Sequence, residues 1–198
     1  MSAPFDSAAW VYDAFMRLTR LYRDAAVVSA LELSGDERLV DLGGGTGHYA
    51  SVISTHCREV VVVDESECML ARVPRKPNVR PLKADMTATG LPDGGFDAAL
   101  ITDALHHAPD QAALIREAHR LLGPGGRLVI MDFDAGRIRT RVVKAFEQAF
   151  FGPVNYLIPK QLEDLLIAGG FSDVSMQAPG WCYVMTARRA DLSEAREA

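Results

Sequence analysis

The most informative stretch of this chain is Leu39-Val40-Asp41-Leu42-Gly43-Gly44-Gly45-Thr46-Gly47-His48-Tyr49-Ala50. Its apolar start predicts a buried strand, its four glycines within five residues predict a turn, and its end begins a helical pattern. Glycine lets the backbone take positive φ and approach a ligand closely, and the first N–H groups of a helix lack partners within it. A strand, a glycine-rich turn and a helix in this order are therefore typical of a nucleotide-binding loop.

The spacing of the glycines bears on the kind of nucleotide. Gly43, Gly45 and Gly47 alternate with other residues, whereas the dinucleotide fingerprint G-x-G-x-x-G would need glycine where His48 stands. A nicotinamide or flavin cofactor is therefore disfavoured, and a nicotinamide-dependent oxidoreductase is kept as an alternative.

Composition excludes several classes of protein. The 198 residues fit one domain, and a formal net charge of −5 gives no broad basic field, so nucleic acid is not the expected partner. Cys57, Cys68 and Cys182 form neither a metal-ligand pair nor an even disulfide set. No window approaches the ~18 apolar residues of a membrane span, and the charged N-terminal stretch does not resemble a signal peptide. We expect a cytoplasmic protein with no membrane span and no metal, and leave its oligomeric state open.

Strands and helices alternate through the middle of the chain. Apolar, β-branched runs predict strands over 39–42, 59–64, 78–84, 95–102 and 127–133, and an amphipathic helix is predicted over 112–122. Repeated βα units predict an α/β fold with a doubly wound parallel sheet, whose ligands bind beyond the carboxyl ends of the strands.

Acidic residues stand in or just after three of these strands. Asp41 lies in the first strand, Asp64 ends the second and Asp85 follows the third. A carboxylate can accept both hydrogen bonds of a ribose diol, and we expect Asp64 to do so. Asp85 is a candidate acceptor for an adenine amine. A single strand-end aspartate is more often a turn or cap residue, but three beside one glycine-rich loop favour binding.

These residues resemble the class I S-adenosylmethionine-dependent methyltransferases, most closely the ubiquinone/menaquinone-biosynthesis-like (type 11) group. The resemblance covers roughly residues 36–133 and rests on the segments 40–47, 63–70, 83–86, 91–97, 104–107 and 121–128. It implies a seven-stranded, mostly parallel sheet whose last two strands, over 171–176 and 181–187, form an antiparallel hairpin. It also implies S-adenosylmethionine as cofactor and a small-molecule acceptor. A catalytically degenerate protein of this fold, which binds the cofactor as a sensor or accessory subunit, is the second alternative.

The same resemblance assigns roles to individual residues. The loop of Gly43, Gly44, Gly45 and Gly47, which follows Asp41, would hold the methionine part of the cofactor. The remaining cofactor contacts that it implies are Asp64 with the ribose, Asp85 with the adenine amine, Met86 with the adenine ring and Thr102, through its carbonyl, with the ammonium. One residue departs from the family pattern: Glu65 stands where an apolar residue commonly covers the adenine. Glu65 then shares the ribose or points to solvent, and Met86 or Met69 supplies the apolar cover.

Two histidines are candidates for catalysis. His106 and His107 follow the fourth strand, beside the place where the transferred methyl is expected. An imidazole there can act as a general base if the acceptor must lose a proton, and the alternative is a structural or substrate-shaping role.

The chain is interpreted as one methyltransferase domain over 1–198. It would comprise an N-terminal helical cap (1–35), a cofactor-binding core (36–133), acceptor-side helices with the final hairpin (134–188) and a loose tail (189–198). In the cap, Tyr12 is a candidate lid contact to the cofactor, or packs the helix onto the sheet. The arginines and lysine of 136–144 would either meet an anionic acceptor or form a solvated face.

Overall fold

The structure is a computed structural model that describes residues 23–150 and 152–190. Its strands are β1 (Arg38–Leu42), β2 (Glu59–Asp64), β3 (Val79–Lys83), β4 (Phe96–Thr102), β5 (Leu122–Phe133), β6 (Phe171–Ala178) and β7 (Cys182–Arg189). Its α-helices are α1 (Asp24–Leu31), α2 (His48–Ile53), α3 (Glu67–Leu70), α4 (Gln111–Leu121), α5 (Ile138–Phe150) and α6 (Pro159–Ala168). A 3₁₀ turn spans Leu105–His107.

The seven strands form one sheet in the order β3-β2-β1-β4-β5-β7-β6. Strands β1 to β5 are parallel, and β7 runs antiparallel to both β5 and β6. The predicted α/β fold, with a mostly parallel seven-stranded sheet and a final antiparallel hairpin, is confirmed. The predicted Tyr12 contact lies outside the described residues.

The order of the strands places a cleft beside β1. The chain moves from β1 outward to β2 and β3, and then returns to β4 on the other side of β1. Crossovers therefore leave β1 and β4 in opposite directions, and the loops at their carboxyl ends separate. Such a switch point is where ligands bind in open α/β sheets.

Apolar side chains on both faces of the sheet form the core. One face packs against α1 and α2 through residues such as Val27, Tyr49 and Ile53, and the other packs against α4 and α6 through Leu114 and Leu162. Burial on both faces explains why β2 reads as four consecutive valines, all fully buried. The core thus fixes the positions from which the loops of the site project.

Most predicted boundaries agree with the structure within one or two residues, and β5 differs most. It begins at Leu122 and so includes Gly123-Pro124-Gly125-Gly126, which the sequence pattern assigns to a turn. Phe96 of β4 pairs with Leu122, and the register shifts before Ala98 pairs with Arg127. The turn residues are thus accommodated by this irregularity in the ladder, which composition alone does not reveal.

Candidate active site

The glycine loop lies at the carboxyl end of β1 and is fixed by backbone bonds to the end of β2. Gly43 and Gly44 N–H groups donate to the Val63 carbonyl at 2.9 and 3.1 Å. Gly43 has φ +73°, and a Cβ added there would lie 2.6 Å from the Ala104 Cβ. Glycine is therefore required at position 43 both by backbone conformation and by the close approach of the loop after β4.

Asp64 joins the end of β2 to this loop. Its Oδ2 accepts from the Gly45 N–H at 3.0 Å, and its Oδ1 accepts from the Ser66 N–H at 2.9 Å. A Cβ added to Gly45 would meet no atom within 4 Å, so the loop faces open space at this point. The carboxylate is thus held at the rim of a cavity with its orientation set by two backbone donors.

The cavity has a volume of about 760 Å³, within the range of roughly 300–1,000 Å³ that is usual for small-molecule sites. Most of the sequence-predicted site residues line it: Gly43, Gly44, Gly45, Asp64, Glu65, Met69, Asp85, Met86, Thr102, His106 and His107. The structure therefore brings the ends of four parallel strands, the glycine loop and the tandem histidines to one cavity.

Two predicted residues lie beside the cavity and do not line it. Gly47 caps α2 with φ +74°, and a Cβ there would lie 3.0 Å from Pro74. Asp41 is fully buried beneath the loop, where a Cβ on Gly44 would lie 2.6 Å from its Oδ2. Within the described residues neither oxygen of Asp41 has a hydrogen-bond partner. Burial, with a smaller contribution from the Asp64 charge, raises the pKa of Asp41 to about 7.

The segment after the third strand contributes Asp85 and Met86 to the lining of the cavity. Asp85 is exposed, and its Oδ1 accepts from both the Thr87 N–H and the Thr87 hydroxyl at 2.7 Å. Met86 is half-buried, with its sulfur 3.2 Å from a Cβ built on Gly43. Glu65 is exposed at the end of β2, and Met69 of α3 is buried beside it. Both methionines are therefore positioned to supply an apolar wall between the acidic rims.

A buried group of charges surrounds His106, which lines the cavity. The His106 ring is fully buried, with its Nδ1 2.7 Å from Asp132 Oδ1 and its Nε2 3.4 Å from Glu147 Oε2. The Tyr156 hydroxyl donates to the same Glu147 oxygen, and the Tyr156 ring stacks on His106 with 4.3 Å between centroids. We call His106, Asp132, Glu147 and Tyr156 the imidazole clamp.

The clamp sets the charge of both histidines. Burial alone would lower the pKa of His106, but Asp132, Glu147 and Asp103 raise it well above its ordinary value. His107 lies 4.1 Å away between ring centroids, and burial together with the His106 charge lowers its pKa to about 2. The site therefore holds one imidazolium and one neutral imidazole side by side.

Only part of the imidazole clamp can be predicted from sequence patterns. Asp132 lies in β5 near its carboxyl end, the same position that singled out the other strand acids, yet it was interpreted only as part of a strand. Glu147 and Tyr156 carried no local signal, because α5 and the following loop bring them to His106 only in the folded chain. The loop itself is held by the Gln111 amide, which donates to the Asn155 carbonyl at 2.7 Å.

Strand order, the glycine loop and the acidic rims together define a Rossmann-like methyltransferase domain. Residues 40–130 match the family model described as "Methyltransferase domain". The resemblance seen in the sequence is therefore confirmed over these residues.

Individual relatives refine this assignment. The chain is 37% identical over 141 residues to a demethylmenaquinone methyltransferase of Thermus thermophilus, an alignment that covers 65% of this chain and 64% of the relative. It is 31% identical over 145 residues to a ubiquinone/menaquinone biosynthesis C-methyltransferase of Coxiella burnetii, covering 66% and 58%. The chain thus spans about three fifths of the length of these curated relatives.

Solved structures agree with this fold. An S-adenosylmethionine-dependent methyltransferase from Mesorhizobium loti superposes with a TM-score of 0.68 at 25% identity, over 83% of this chain and 96% of that one. The cofactor predicted from the sequence, S-adenosylmethionine, is the one that this neighbour's description names. Within the described residues, no helix combines the length and apolar character needed to cross a bilayer.

Proposed function

We propose that this protein is an S-adenosylmethionine-dependent methyltransferase that methylates a small, uncharged, quinone-type acceptor. The observation that carries the proposal is a cavity lined together by the glycine loop, the strand-end carboxylates and the tandem histidines. The names of the demethylmenaquinone and ubiquinone/menaquinone relatives support the class of acceptor.

The geometry supports specific contacts to the cofactor. Gly43, Gly44 and Gly45 would take the methionine part against the loop backbone, and the Asp64 carboxylate, oriented by two N–H donors, would accept from the ribose hydroxyls. Asp85 uses Oδ1 within its own turn, so we assign Oδ2 to the adenine amine. The other proposed contacts are the apolar walls of Met69 and Met86, the Thr102 carbonyl for the ammonium, and Glu65 at the ribose edge.

Asp41 and Gly47 act indirectly in this proposal. Asp41 lies under Gly44, so its carboxylate, when ionised, would favour a cationic cofactor from beneath the loop without contacting it. Gly47 has the left-handed conformation that starts α2 and so sets the direction of the loop.

The bound cofactor supplies an activated methyl group on a sulfonium, ready for in-line displacement by the acceptor. The chain then has to align the acceptor, exclude water and manage its proton. His106 has carboxylates against both ring nitrogens, so we assign it the role of a fixed imidazolium that positions His107. His107 lines the cavity as a neutral imidazole, and we propose that it hydrogen-bonds the acceptor hydroxyl.

Charge in the cavity supports an uncharged acceptor. Its lining includes five carboxylates, those of Asp64, Glu65, Asp85, Asp103 and Asp110, and among the described residues no lysine or arginine lines it. An anionic acceptor would therefore be repelled. Of the two alternatives for the 136–144 cations, a solvated face is favoured over partners of an anionic acceptor, because Arg137, Arg139 and Arg141 are exposed and do not line the cavity.

Two alternatives make different predictions. A degenerate sensor would bind the cofactor and transfer no methyl to any quinol. A nicotinamide-dependent oxidoreductase would need an active Tyr-x-x-x-Lys pair. Tyr156 and Lys160 have that spacing, but the Tyr156 hydroxyl donates its hydrogen bond to Glu147. Lys160 is exposed and forms ion pairs with Glu163 and Asp164 within α6.

The test begins with the cofactor. Calorimetry should give micromolar binding of S-adenosylmethionine and none of NADH, and Asp64→Ala should weaken binding at least tenfold because the ribose acceptor is lost. Glu163→Ala, at a half-buried acid of α6 that does not line the cavity, is the matched control and should bind normally. Unchanged affinity in Asp64→Ala would refute the ribose assignment.

The second step is turnover. Mass spectrometry should detect a methylated product when a demethylated quinol and S-adenosylmethionine are supplied together. Cofactor binding with no product from quinols or from pooled metabolites would favour the degenerate alternative.

We also propose that the protein is cytoplasmic and that the chain forms a single domain. All three cysteines are free thiols, which supports a reducing cytoplasmic compartment. One sheet includes strands from Arg38 to Arg189, which supports a single methyltransferase domain over 1–198.

A further inference from the structure

A basic and apolar surface lies at the start of α5, outside the cavity. Residues 137–144 carry four cations and no acid, in a chain whose formal net charge is −5. Ile138 within this run is 77% exposed, and Ile158, at 38%, lies close by, since its Cγ2 is 3.6 Å from a Cβ built on Gly136. We call Arg137, Ile138, Arg139, Arg141 and Ile158 the basic patch.

The direction of α5 explains why the patch points outward. Thr140, Val143 and Glu147 recur at three- and four-residue steps and are buried, so they define the inner face of the helix. Ile138 and Arg141 fall on the opposite face. Arg137 pairs with Asp134 at 3.1 Å, but Arg139 and Arg141 have no ion pair within the described residues. Neither packing nor internal charge pairing therefore accounts for them.

The patch borders the mouth of the cavity. Pro153, Val154 and Asn155 line the cavity, and the chain runs directly from Asn155 to Ile158. Three residues span at most about 11 Å even when fully extended. The Ala135 N–H also donates to the Leu157 carbonyl at 3.2 Å, which ties the start of α5 to this segment. A surface held against the patch would therefore lie close to the entrance.

We propose that the basic patch docks the protein on an anionic lipid bilayer. Arginines attract acidic headgroups, while an exposed isoleucine gains by entering the boundary of the acyl chains. Nucleic acid would satisfy the arginines but not the apolar residues, so the combination favours a bilayer. The purpose of docking rests on the proposed function, because an apolar quinone-type acceptor partitions into lipid. The docking itself does not depend on methyl transfer.

Sedimentation with lipid vesicles tests the proposal on the full chain without any methyl acceptor. We expect the protein to pellet with vesicles of phosphatidylcholine containing roughly one-third phosphatidylglycerol, and not with phosphatidylcholine alone. Arg139→Glu/Arg141→Glu should lower the partition coefficient at least tenfold, and Ile138→Asp should lower it as well. Raising the salt concentration should weaken binding, because exposed charges are screened.

The matched control is Arg58→Glu/Arg75→Glu, which makes the same change of charge at two exposed arginines elsewhere. It should retain binding, and thermal unfolding should show that all variants are folded. Equal losses in both double variants, or no pelleting of the unmodified protein, would overturn the proposal. So would binding of a DNA duplex that requires Arg139 and Arg141 in a protein that ignores vesicles.

Methyl transfer can be tested independently of vesicle binding. Methyl transfer to a water-soluble quinol, measured without vesicles, should be the same for the unmodified protein and for Arg139→Glu/Arg141→Glu. A protein that binds anionic vesicles through the patch but methylates no quinol would support docking and refute the assigned acceptor.

Discussion

A single buried carboxylate, Asp41, makes the stability of the glycine loop depend on pH. Its pKa of about 7 means that the folded protein holds a proton that the unfolded chain releases at lower pH. The folded state is therefore favoured as pH falls from about 7 towards 4, and it bears the full cost of the ionised carboxylate above pH 7.

Asp41→Asn should remove this dependence. The distance between an ordinary carboxyl pKa and about 7 corresponds to at most roughly 4 kcal/mol, and a buried amide without partners will reduce the gain to about 2 kcal/mol. We expect the cofactor-free variant to be more stable than the unmodified protein near pH 8 and less stable than it near pH 4, where only the cost of the amide remains. Urea unfolding across this range measures the difference. Asp36→Asn, at an exposed acid, should show no such trend.

At His106 the surroundings favour the charged form, because carboxylates lie against the ring, whereas at Asp41 burial favours the neutral form. Its pKa is raised, so its contribution to stability is complete below the unfolded value near 6.5 and is lost as pH rises through the higher folded value. His106→Gln leaves Asp132 and Glu147 buried without their cation. We expect the free energy of unfolding to fall by about 3 kcal/mol at pH 6.5.

The deficit of His106→Gln should shrink as the pH rises through the raised pKa of His106, because the unmodified protein then loses the same charge. Denaturant unfolding at several pH values checks this, with His56→Gln at an exposed histidine as control. A deficit that stays constant with pH would contradict the clamp. His107→Gln should leave stability nearly unchanged and raise the KM for the acceptor.

At the scale of elements, the glycine loop and the loop after β4 meet with no room for a side chain. Gly43→Ala combines a strained φ with a Cβ 2.6 Å from Ala104, whereas Gly90→Ala has a similar φ of +70° and no atom within 4 Å. Comparing these two variants therefore distinguishes the effect of backbone strain from the effect of the contact with Ala104. Both should lose about 1 kcal/mol from conformation.

Only Gly43→Ala should also weaken S-adenosylmethionine binding, by at least tenfold, because the cavity wall must move. Calorimetry and thermal unfolding of the two variants measure these effects. Similar cofactor affinity in both variants would show that the contact with Ala104 does not shape the site.

At the scale of the whole molecule, negative charge collects in the cavity while positive charge collects at its entrance. We expect kcat/KM for an anionic acceptor analogue to be at least tenfold below that for a neutral analogue of similar size. Asp110→Asn keeps the cap of α4, since Asn caps as well as Asp. This variant should reduce the ratio of kcat/KM for the neutral analogue to that for the anionic analogue two- to threefold. Glu163→Gln, at an acid of α6 that does not line the cavity, should leave the ratio unchanged. Equal use of both analogues by the unmodified enzyme would contradict the charge argument.

Local patterns were enough for most of the fold. Continuous β-branched runs identify strands buried on both faces, and glycines after an apolar run identify a loop, because both signals depend on neighbouring residues. The strand-end acids could likewise be grouped, since parallel strands place their carboxyl ends along one edge. Asp41 shows the limit of this reasoning: it shares the pattern of Asp64 and Asp85 but lies beneath the loop.

By itself, the sequence determined the mostly parallel sheet and the glycine-rich turn after β1, because periodicity and short motifs record them directly. The two histidines were candidates through the family resemblance. Only the tertiary structure decided which histidine carries the charge, because Asp132 and Glu147 are 26 and 41 residues from His106 in the chain. It also decided that Arg137, Arg139 and Arg141 are exposed and lie outside the lining of the cavity. A helix face is recognised from periodicity, but what that face meets depends on how the helix packs.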